Sequence, residues 1–255
     1  MPRAPLRIAI LECDTPPERA NAKYGGYGGV FRTLLRESVT ELSKSNKDAD
    51  ADVNNVLDIS AYDVVSKQEY PELESIDAVL LTGSKHNSFE DHPWIQKLVE
   101  YTQKALAHPR VKLLGICFGH QIIGRALGVE VGRNSAGWEI AVCDVDLTDK
   151  GKELFGVETL KIQQMHRDMV FAYPEGVTAL GSSGRCAVQG MYKAGKFVTV
   201  QGHPEFKGDI VEEVVNLRAE AGVFDKEQAE DALERASKPH DGLAIGVAFL
   251  RFLLE

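Results

Sequence analysis

The stretch LLGICFGHQIIGRALG, residues 113–128, decides the fold of this chain. Its apolar start is typical of a buried strand, and its second half has the spacing of a helix. A strand that runs directly into a helix strains the backbone at the junction, and small residues on either side relieve the crowding. Gly115 and Gly119 flank Cys117 at the required spacing. The pattern predicts a nucleophile elbow that presents a thiol in place of the usual serine hydroxyl.

The predicted elbow also indicates how the thiol is activated. The helix that begins near Phe118 directs its unpaired N–H groups and positive dipole end toward Cys117, which favours the thiolate and offers donors to an oxyanion. The alternative is a buried structural cysteine at a tight turn, since free cysteine is among the most buried residue types. The flanking glycines favour the nucleophile.

The rest of the N-terminal half predicts the sheet that carries this elbow. Apolar runs predict strands at 7–11, 56–59, 78–81 and 111–116, with helices at 30–42 and 94–107 and a solvated loop at 43–52. This alternation predicts an α/β fold, a mostly parallel sheet flanked by helices. Shorter alternating segments at 139–146 and 197–201 predict added antiparallel strands.

The C-terminal residues predict a helical extension. Asp225 and Gln228 have the spacing of a capping box for a helix through Ala236, and a closing helix carries an apolar stripe of Leu243, Val247, Leu250 and Leu254. We interpret this end as structural. Residues 1–255 are expected to form a single domain, with a core over about 6–210 and the extension over about 211–255.

Composition limits the classes of partner. The 255 residues carry a formal net charge of −9, which argues against a nucleic-acid surface or an anionic membrane, and no apolar run approaches the length of a membrane helix. We expect a soluble, cytoplasmic protein with a small-molecule substrate. The four cysteines lie far apart without a CxxC pair, which indicates reduced thiols. Outside the elbow, Cys13, Cys143 and Cys186 are interpreted as core or surface residues.

A thiol nucleophile needs a base, and the sequence offers one at His203. In an extended segment, residues two apart point to the same side, so Glu205 can orient the imidazole. Cys117, His203 and Glu205 therefore form the predicted catalytic set.

GICFGHQ followed by QGHPEF resembles the class I glutamine amidotransferases, a family with a Cys-His-Glu triad on a flavodoxin-like fold. The resemblance runs from the first strand to about residue 210. The segments LLTGSKHNSFEDHPWI, GWEIAV and MHRDMV are similar to those of stand-alone members, which include fungal amidotransferase-like proteins and plant γ-glutamyl peptidases.

The resemblance implies further site residues. It makes Cys117 the nucleophile, His203 the base and Glu205 the orienting acid, and it places the backbone N–H of Phe118 and one from Gly83 or Ser84 in the oxyanion hole. Many relatives have Gly-Gly-Pro where this chain has Gly83-Ser84-Lys85, so the second donor stays open. The implied substrate-binding residues are Gln121, His166 and Asp168, although hydrogen bonds that fix a loop are an alternative for His166 and Asp168.

Other polar motifs carry weaker predictions. His86, His92 and His240 lack ligand spacing, and no metal or organic cofactor is expected. His120 is interpreted as a packing or capping residue. The glycine-rich segment at 24–29 has neither the dinucleotide-binding nor the P-loop spacing, so we favour a flexible loop near the site over nucleotide binding.

Three functions remain open for these residues. The chain could be a glutaminase that delivers ammonia to a separate synthetase, or a γ-glutamyl peptidase that acts alone on peptides such as glutathione derivatives. Both would proceed through a γ-glutamyl thioester on Cys117. The third is a non-catalytic binding or regulatory relative.

Overall fold

A computed structural model describes residues 5–45 and 56–255 of the chain. Its strands, β1 to β11 in chain order, are Leu6–Glu12, Leu57–Asp63, Ala78–Leu81, Lys112–Ile116, Val131–Arg133, Glu139–Leu147, Thr159–His166, Asp168–Val170, Thr178–Ser182, Gly190–Lys193 and Phe197–Val200. Its α-helices, α1 to α8 in chain order, are Glu18–Tyr24, Tyr27–Ser45, Pro93–Ala107, Phe118–Ala126, Asp149–Phe155, Gly208–Glu220, Lys226–Ala236 and Gly242–Leu254.

Nine of the described strands form one mixed sheet in the order β2-β1-β3-β4-β11-β10-β9-β6-β7. The strands from β2 to β11 in this order are parallel to their neighbours, and the strands from β11 to β7 are antiparallel. The predicted mostly parallel sheet with added antiparallel strands is confirmed. Strands β5 and β8 form a separate antiparallel pair.

The orientation of β11 differs from the sequence prediction. The segment 197–201 was expected as an added antiparallel strand, but Phe197–Val200 pairs in parallel with β4 and is antiparallel only to β10. All four residues of the strand are buried and three of them are apolar, which suits the interior of a parallel sheet. Strand β11 is thus the junction between the two halves of the sheet.

Buried apolar side chains cover both faces of the sheet. One cluster joins the sheet to α2 and α8 and includes Phe31, Leu35 and Phe249. The cluster on the other side joins the sheet to α3 and α4 and includes Ile95 and Phe118. Helices therefore flank both faces, and β4 lies in the interior of the sheet, where backbone pairing on both sides fixes its carboxyl end.

The C-terminal helices confirm one local prediction and correct another. The capping box is present, because the Asp225 side chain accepts from Gln228 N–H and the Gln228 side chain accepts from Asp225 N–H, at 2.8 and 3.1 Å. In α8 the predicted stripe is buried only in part: Leu250 is buried, but Leu243 and Leu254 are exposed, and the buried face also includes Ile245, Phe249 and Phe252. The helix is apolar almost all round, so its periodicity does not identify the buried side.

Two predicted loops, at 43–52 and 24–29, differ from the sequence prediction. Residues 43–45 of the predicted loop continue α2, and the remainder of that loop, 46–52, lies outside the described residues. The glycine-rich segment is a compact corner between α1 and α2 rather than a loop, because a Cβ at Gly29 would lie 1.7 Å from the Tyr24 carbonyl oxygen. No helix within 5–45 and 56–255 has the length and apolar character needed to span a bilayer.

Candidate active site

Cys117 occupies a strained strand-to-helix corner. It follows β4 directly and is the N-cap of α4, with φ of 51° and ψ of −104°. A positive φ is unfavourable for a residue with a side chain. The corner leaves no space beside it, since a Cβ at Gly119 would lie 2.3 Å from the Leu81 carbonyl oxygen and one at Gly115 would lie 2.9 Å from that of Gly119. A side chain at either position would clash with the backbone, so both positions require glycine.

The pairing of β4 with β11 brings the predicted nucleophile and base together. Ile116 lies opposite Val200 in the parallel register, and Cys117 N–H donates to the Val200 carbonyl at 3.0 Å. Three residues further on, His203 N–H donates to the Gln163 carbonyl at 2.7 Å. Because the two strands end at the same edge of the sheet, Cys117 and His203 meet there.

The His203 imidazole is held on several sides. Its Nδ1 lies 2.8 Å from Glu205 Oε1, and both residues are 3% exposed. The Phe206 ring stacks on it with centroids 4.0 Å apart. A Cβ at Gly83 would lie 2.6 Å from the imidazole Cε1, so the Gly83 backbone closes another side. Since Nδ1 faces Glu205, the second ring nitrogen is available for the thiol.

The electrostatics of this pair favour the imidazolium. Burial lowers the pKa of His203, but the Glu205 carboxylate and the interaction with Cys117 raise it, and the pKa reaches about 10. The imidazole is therefore protonated at neutral pH. A charged histidine beside a cysteine can supply a proton to a leaving amine and stabilise a thiolate.

The hydrogen bonds of the loop after β3 limit which of its N–H groups are candidates for the predicted oxyanion hole. Lys85 N–H donates to Asp14 Oδ2 at 2.8 Å, and His86 N–H donates to the Ser84 hydroxyl at 3.1 Å. These bonds occupy the two later donors of the loop, so Gly83 and Ser84 remain the candidates, as the sequence resemblance implies. Phe118 N–H, at the start of α4, is the candidate on the other side.

Replacing Gly83 by alanine tests the contact between this loop and the imidazole. The added methyl would meet the His203 ring, so we expect the ring to shift from Cys117 and kcat to fall about 100-fold, the loss typical of a misplacement near 1 Å. Turnover is measured alongside thermal unfolding. Gly184→Ala is the matched control, because a Cβ there meets nothing within 4 Å. Equal activities of the two variants would contradict the assigned contact.

Gln121 and Asp168 lie in one hydrogen-bond network with Ser88 and Gln201. The Ser88 hydroxyl donates to Gln121 Oε1 at 2.8 Å, and Gln121 Nε2 donates to the Asp168 carbonyl at 2.9 Å and to Gln201 Oε1 at 3.1 Å. Both N–H groups of the Gln121 side chain are thus used by protein acceptors. Its predicted role toward substrate, like that of Asp168, stays a prediction.

His166 belongs to a buried polar cluster that could be considered as a metal site. Its Nε2 lies 3.1 Å from Glu139 Oε2, and with Cys186 these residues place ligand atoms within 4.8 Å of one another. The Glu139 oxygens already accept from the Ser183 hydroxyl and the Gln189 amide, at 2.7 and 2.8 Å. Burial raises the pKa of Cys186 to about 12 and keeps it a thiol. The Glu139 carboxylate therefore has protein partners, and Cys186 is held in the form that does not ligate a metal.

The remaining predicted residues lie in structural surroundings. His120 Nδ1 is 2.7 Å from the Thr199 hydroxyl, and burial lowers the pKa of His120 to about 3. Burial raises the pKa of Cys13 to about 12, whereas Cys143 is half-buried beside Arg235. The burial and hydrogen bonds of these three side chains indicate structural roles.

An open cleft of about 390 Å³ lies beside His203. Its wall includes Tyr27 and Arg218, neither of which is among the predicted site residues. Tyr27 lies in the glycine-rich segment that was interpreted only as a loop, and its ring stacks on Phe206 with centroids 6.4 Å apart. Arg218 lies in the extension that was interpreted as structural, so that interpretation requires correction: α6 forms part of the cleft wall.

Comparisons with known proteins identify relatives of this chain. The family model described as glutamine amidotransferase class-I matches residues 44–216. A putative glutamine amidotransferase-like protein of Schizosaccharomyces pombe is 37% identical over 97% of this chain and 98% of its own length. Gamma-glutamyl peptidase 3 of Arabidopsis thaliana is 32% identical over 89% of this chain and 87% of its own.

Solved structures extend the likeness to the fold. A glutamine amidotransferase from Thermotoga maritima superposes with a TM-score of 0.75, covering 99% of this chain and 100% of its own at 18% identity. This identity is low enough that the comparison concerns the flavodoxin-like fold alone. The matched family model and the full-length relative lead to one conclusion: the chain belongs to the class I glutamine amidotransferase family.

Proposed function

We propose that this protein is a cysteine hydrolase of γ-glutamyl amides. The observation that carries the proposal is the buried His203–Glu205 pair, 2.8 Å apart, beside a cysteine held at positive φ on the edge of the sheet. Such an arrangement has the parts of a nucleophile, a general acid and an orienting group. Membership of the amidotransferase family and the likeness to a γ-glutamyl peptidase support the choice of substrate.

Acylation begins with the Cys117 thiolate and the His203 imidazolium. The sulfur adds to the γ-carbonyl carbon, and the resulting oxyanion accepts from Phe118 N–H and from an N–H of Gly83 or Ser84. The imidazolium gives its proton to the leaving nitrogen as the C–N bond breaks. Ammonia or an amine departs, and a γ-glutamyl thioester and a neutral imidazole remain.

Deacylation reverses the proton transfers. Water adds to the thioester carbon while the neutral His203 imidazole accepts its proton. The C–S bond then breaks, which releases glutamate and restores the thiolate and the imidazolium. Glu205 stays ionised throughout and holds the imidazole by Nδ1.

A product assay tests the proposal. Purified protein is supplied with glutamine, glutathione and γ-glutamyl dipeptides, and glutamate, ammonia and released amine are measured separately. Release of glutamate from at least one of these compounds is expected. A protein without turnover on any of them, alone or with candidate synthetase partners, would instead support a non-catalytic binding role.

The assay also separates the two catalytic functions. Glutamine turnover that rises on addition of a synthetase would identify a glutaminase subunit, whereas faster cleavage of peptides in the absence of any partner would identify a peptidase. Triad chemistry is the same for both, so the space available to the leaving group decides between them.

The pH dependence of kcat/KM follows from the state of His203. Amide cleavage needs the imidazolium, so kcat/KM should decline as pH rises through about 10, where His203 loses its proton. The measurement is a pH–rate profile on a γ-glutamyl dipeptide. A γ-glutamyl ester with a good leaving group is the control, because its departure needs no proton and its rate should not decline there. If the pH–rate profiles of the dipeptide and the ester declined identically at alkaline pH, the role of His203 as general acid would be contradicted.

A further inference from the structure

The cleft beside His203 is the place for the leaving group, if the proposed function holds. The general acid must reach the leaving nitrogen, so the atoms attached to that nitrogen lie on the His203 side of the scissile bond. His203 itself lines the cleft, next to Tyr27 and Phe206. Ammonia would leave this cleft of about 390 Å³ unfilled, whereas an amino acid or short peptide would occupy it.

Three cationic side chains line the cleft: the His203 imidazolium is paired with Glu205, and Lys85 and Arg218 differ in their partners. Lys85 Nζ pairs with Asp14 Oδ1 at 2.9 Å, and the Asp14 side chain is 8% exposed. Within 5–45 and 56–255, the Arg218 guanidinium has no carboxylate at ion-pairing distance and no hydrogen bond to a protein acceptor. Its charge is therefore available to a ligand in the cleft.

Aromatic rings hold Arg218 in position. Its guanidinium carbon lies 4.6 Å from the centroid of Trp138 and 5.8 Å from that of Phe224, and these two rings meet edge to face. Stacking of this kind fixes the plane of a guanidinium while leaving its N–H groups free. Burial lowers the pKa of Arg218, and Cys117 and Asp14 are among the groups that oppose this effect. The guanidinium is thus held in place, partly shielded from water and without an anionic partner. A group of this kind is suited to bind a planar carboxylate through two parallel hydrogen bonds.

The remaining wall of the cleft is largely apolar. Pro16 and Pro17 line one part, and Met165, Val214 and Leu217 line others, with Leu217 48% exposed. Such a wall suits an aliphatic or aromatic side chain next to the carboxylate. The cleft thus combines one unpaired cation with apolar surface, the complement of an amino acid joined through its amino group.

We propose that Arg218 binds the free carboxylate of the leaving amino acid or peptide, so that the substrates are γ-glutamyl peptides with an unblocked C-terminus. Arg218 is then the residue that determines leaving-group specificity, and the enzyme acts as a peptidase without a synthetase partner. A C-terminal amide keeps the same scissile bond but offers no negative charge to the guanidinium, which separates this role from chemistry at Cys117.

The test compares γ-glutamyl-leucine with γ-glutamyl-leucinamide. The wild-type protein should cleave the free acid with a kcat/KM about 10- to 100-fold higher, the range expected for hydrogen bonds to a charged group. Arg218→Met keeps most of the aliphatic length and removes the charge, so its ratio of acid to amide should fall to about 1. Arg19→Gln is the control: Arg19 is exposed, pairs with Glu213 outside the cleft lining and carries the same charge. Its ratio should stay at the wild-type value.

Two outcomes would overturn the assignment. An equal loss on acid and amide in Arg218→Met would mean that the guanidinium binds the γ-glutamyl half or only supports the fold, and thermal unfolding tells these apart. A wild-type ratio near 1 would mean that the cleft does not sense the C-terminal charge.

A binding experiment keeps this inference separate from the proposed function. Calorimetric titration of the Cys117→Ala variant with the two peptides should give a lower Kd for the acid, and the additional Arg218→Met change should remove the difference. A wild-type protein that cleaves neither peptide would end the proposed hydrolase function, whereas the titration would still decide whether Arg218 recognises a carboxylate. Equal Kd values for acid and amide would reject the carboxylate subsite, whatever the turnover.

Discussion

Replacing Cys117 by alanine should lower turnover of every γ-glutamyl substrate on the order of 10⁶-fold. The sulfur forms the thioester in the proposed mechanism, and the corner offers no second nucleophile: Phe118 follows it directly, and Gly115 and Gly119 flank it. The measurement is release of glutamate at high enzyme concentration, together with mass spectrometry of the intact protein for a γ-glutamyl adduct, which should form on the wild type only.

The alanine variant should also retain the fold. Alanine keeps a Cβ at the positive φ of this corner, so the backbone strain is the same in both proteins and thermal unfolding should occur at nearly the same temperature. Cys13→Ala is a control that removes a buried thiol away from the elbow, and it should leave the adduct in place. Undiminished turnover in the Cys117 variant would remove this residue from the mechanism.

Replacing Glu205 by glutamine should lower kcat by about 10³- to 10⁴-fold. The amide has the same shape but no charge, so it neither stabilises the imidazolium nor holds the ring in the required tautomer. The pKa of His203 should fall as well, because burial continues to lower it after the carboxylate that raises it has gone. The alkaline limb of the pH–rate profile should therefore move to lower pH.

The matched control for this change is Glu212→Gln. Glu212 is exposed and accepts from the Ser237 hydroxyl, so its loss changes the net charge equally without touching the site. Its kcat and its pH profile should equal those of the wild type. A Glu205→Gln protein with a normal kcat, or with an unmoved alkaline limb, would show that Glu205 does not control His203.

The features that the sequence predicted well are local ones. The elbow depends on residues within two positions of Cys117, and the pairing of His203 with Glu205 depends on residues two apart, so each can be recognised in a short stretch. The alternation of strands and helices before Gly128 is equally local, because each apolar run contains its own periodicity. Short-range sequence patterns were therefore sufficient to predict most of the sheet and the main residues of the candidate site.

The features that were missed depend on distant parts of the chain. Strand β11 has an apolar run that suits either direction, and only its position between β4 and β10 makes it parallel to one and antiparallel to the other. Arg218 carries no local signature, since a single arginine on a polar helix is ordinary at a surface. Its position in the cleft arises from the packing of α6, which a sequence pattern does not describe.

The division of the site between sheet and helix has a consequence for how the protein can change over evolution. Cys117 and His203 are fixed by β4 and β11, and any alteration there meets crowded backbone. Arg218 lies in the last turn of α6, two residues beyond the part that the family model matches and just before a glycine turn at Gly222. Selection can therefore exchange the α6 wall for one that suits another leaving group while the reaction itself is inherited unchanged.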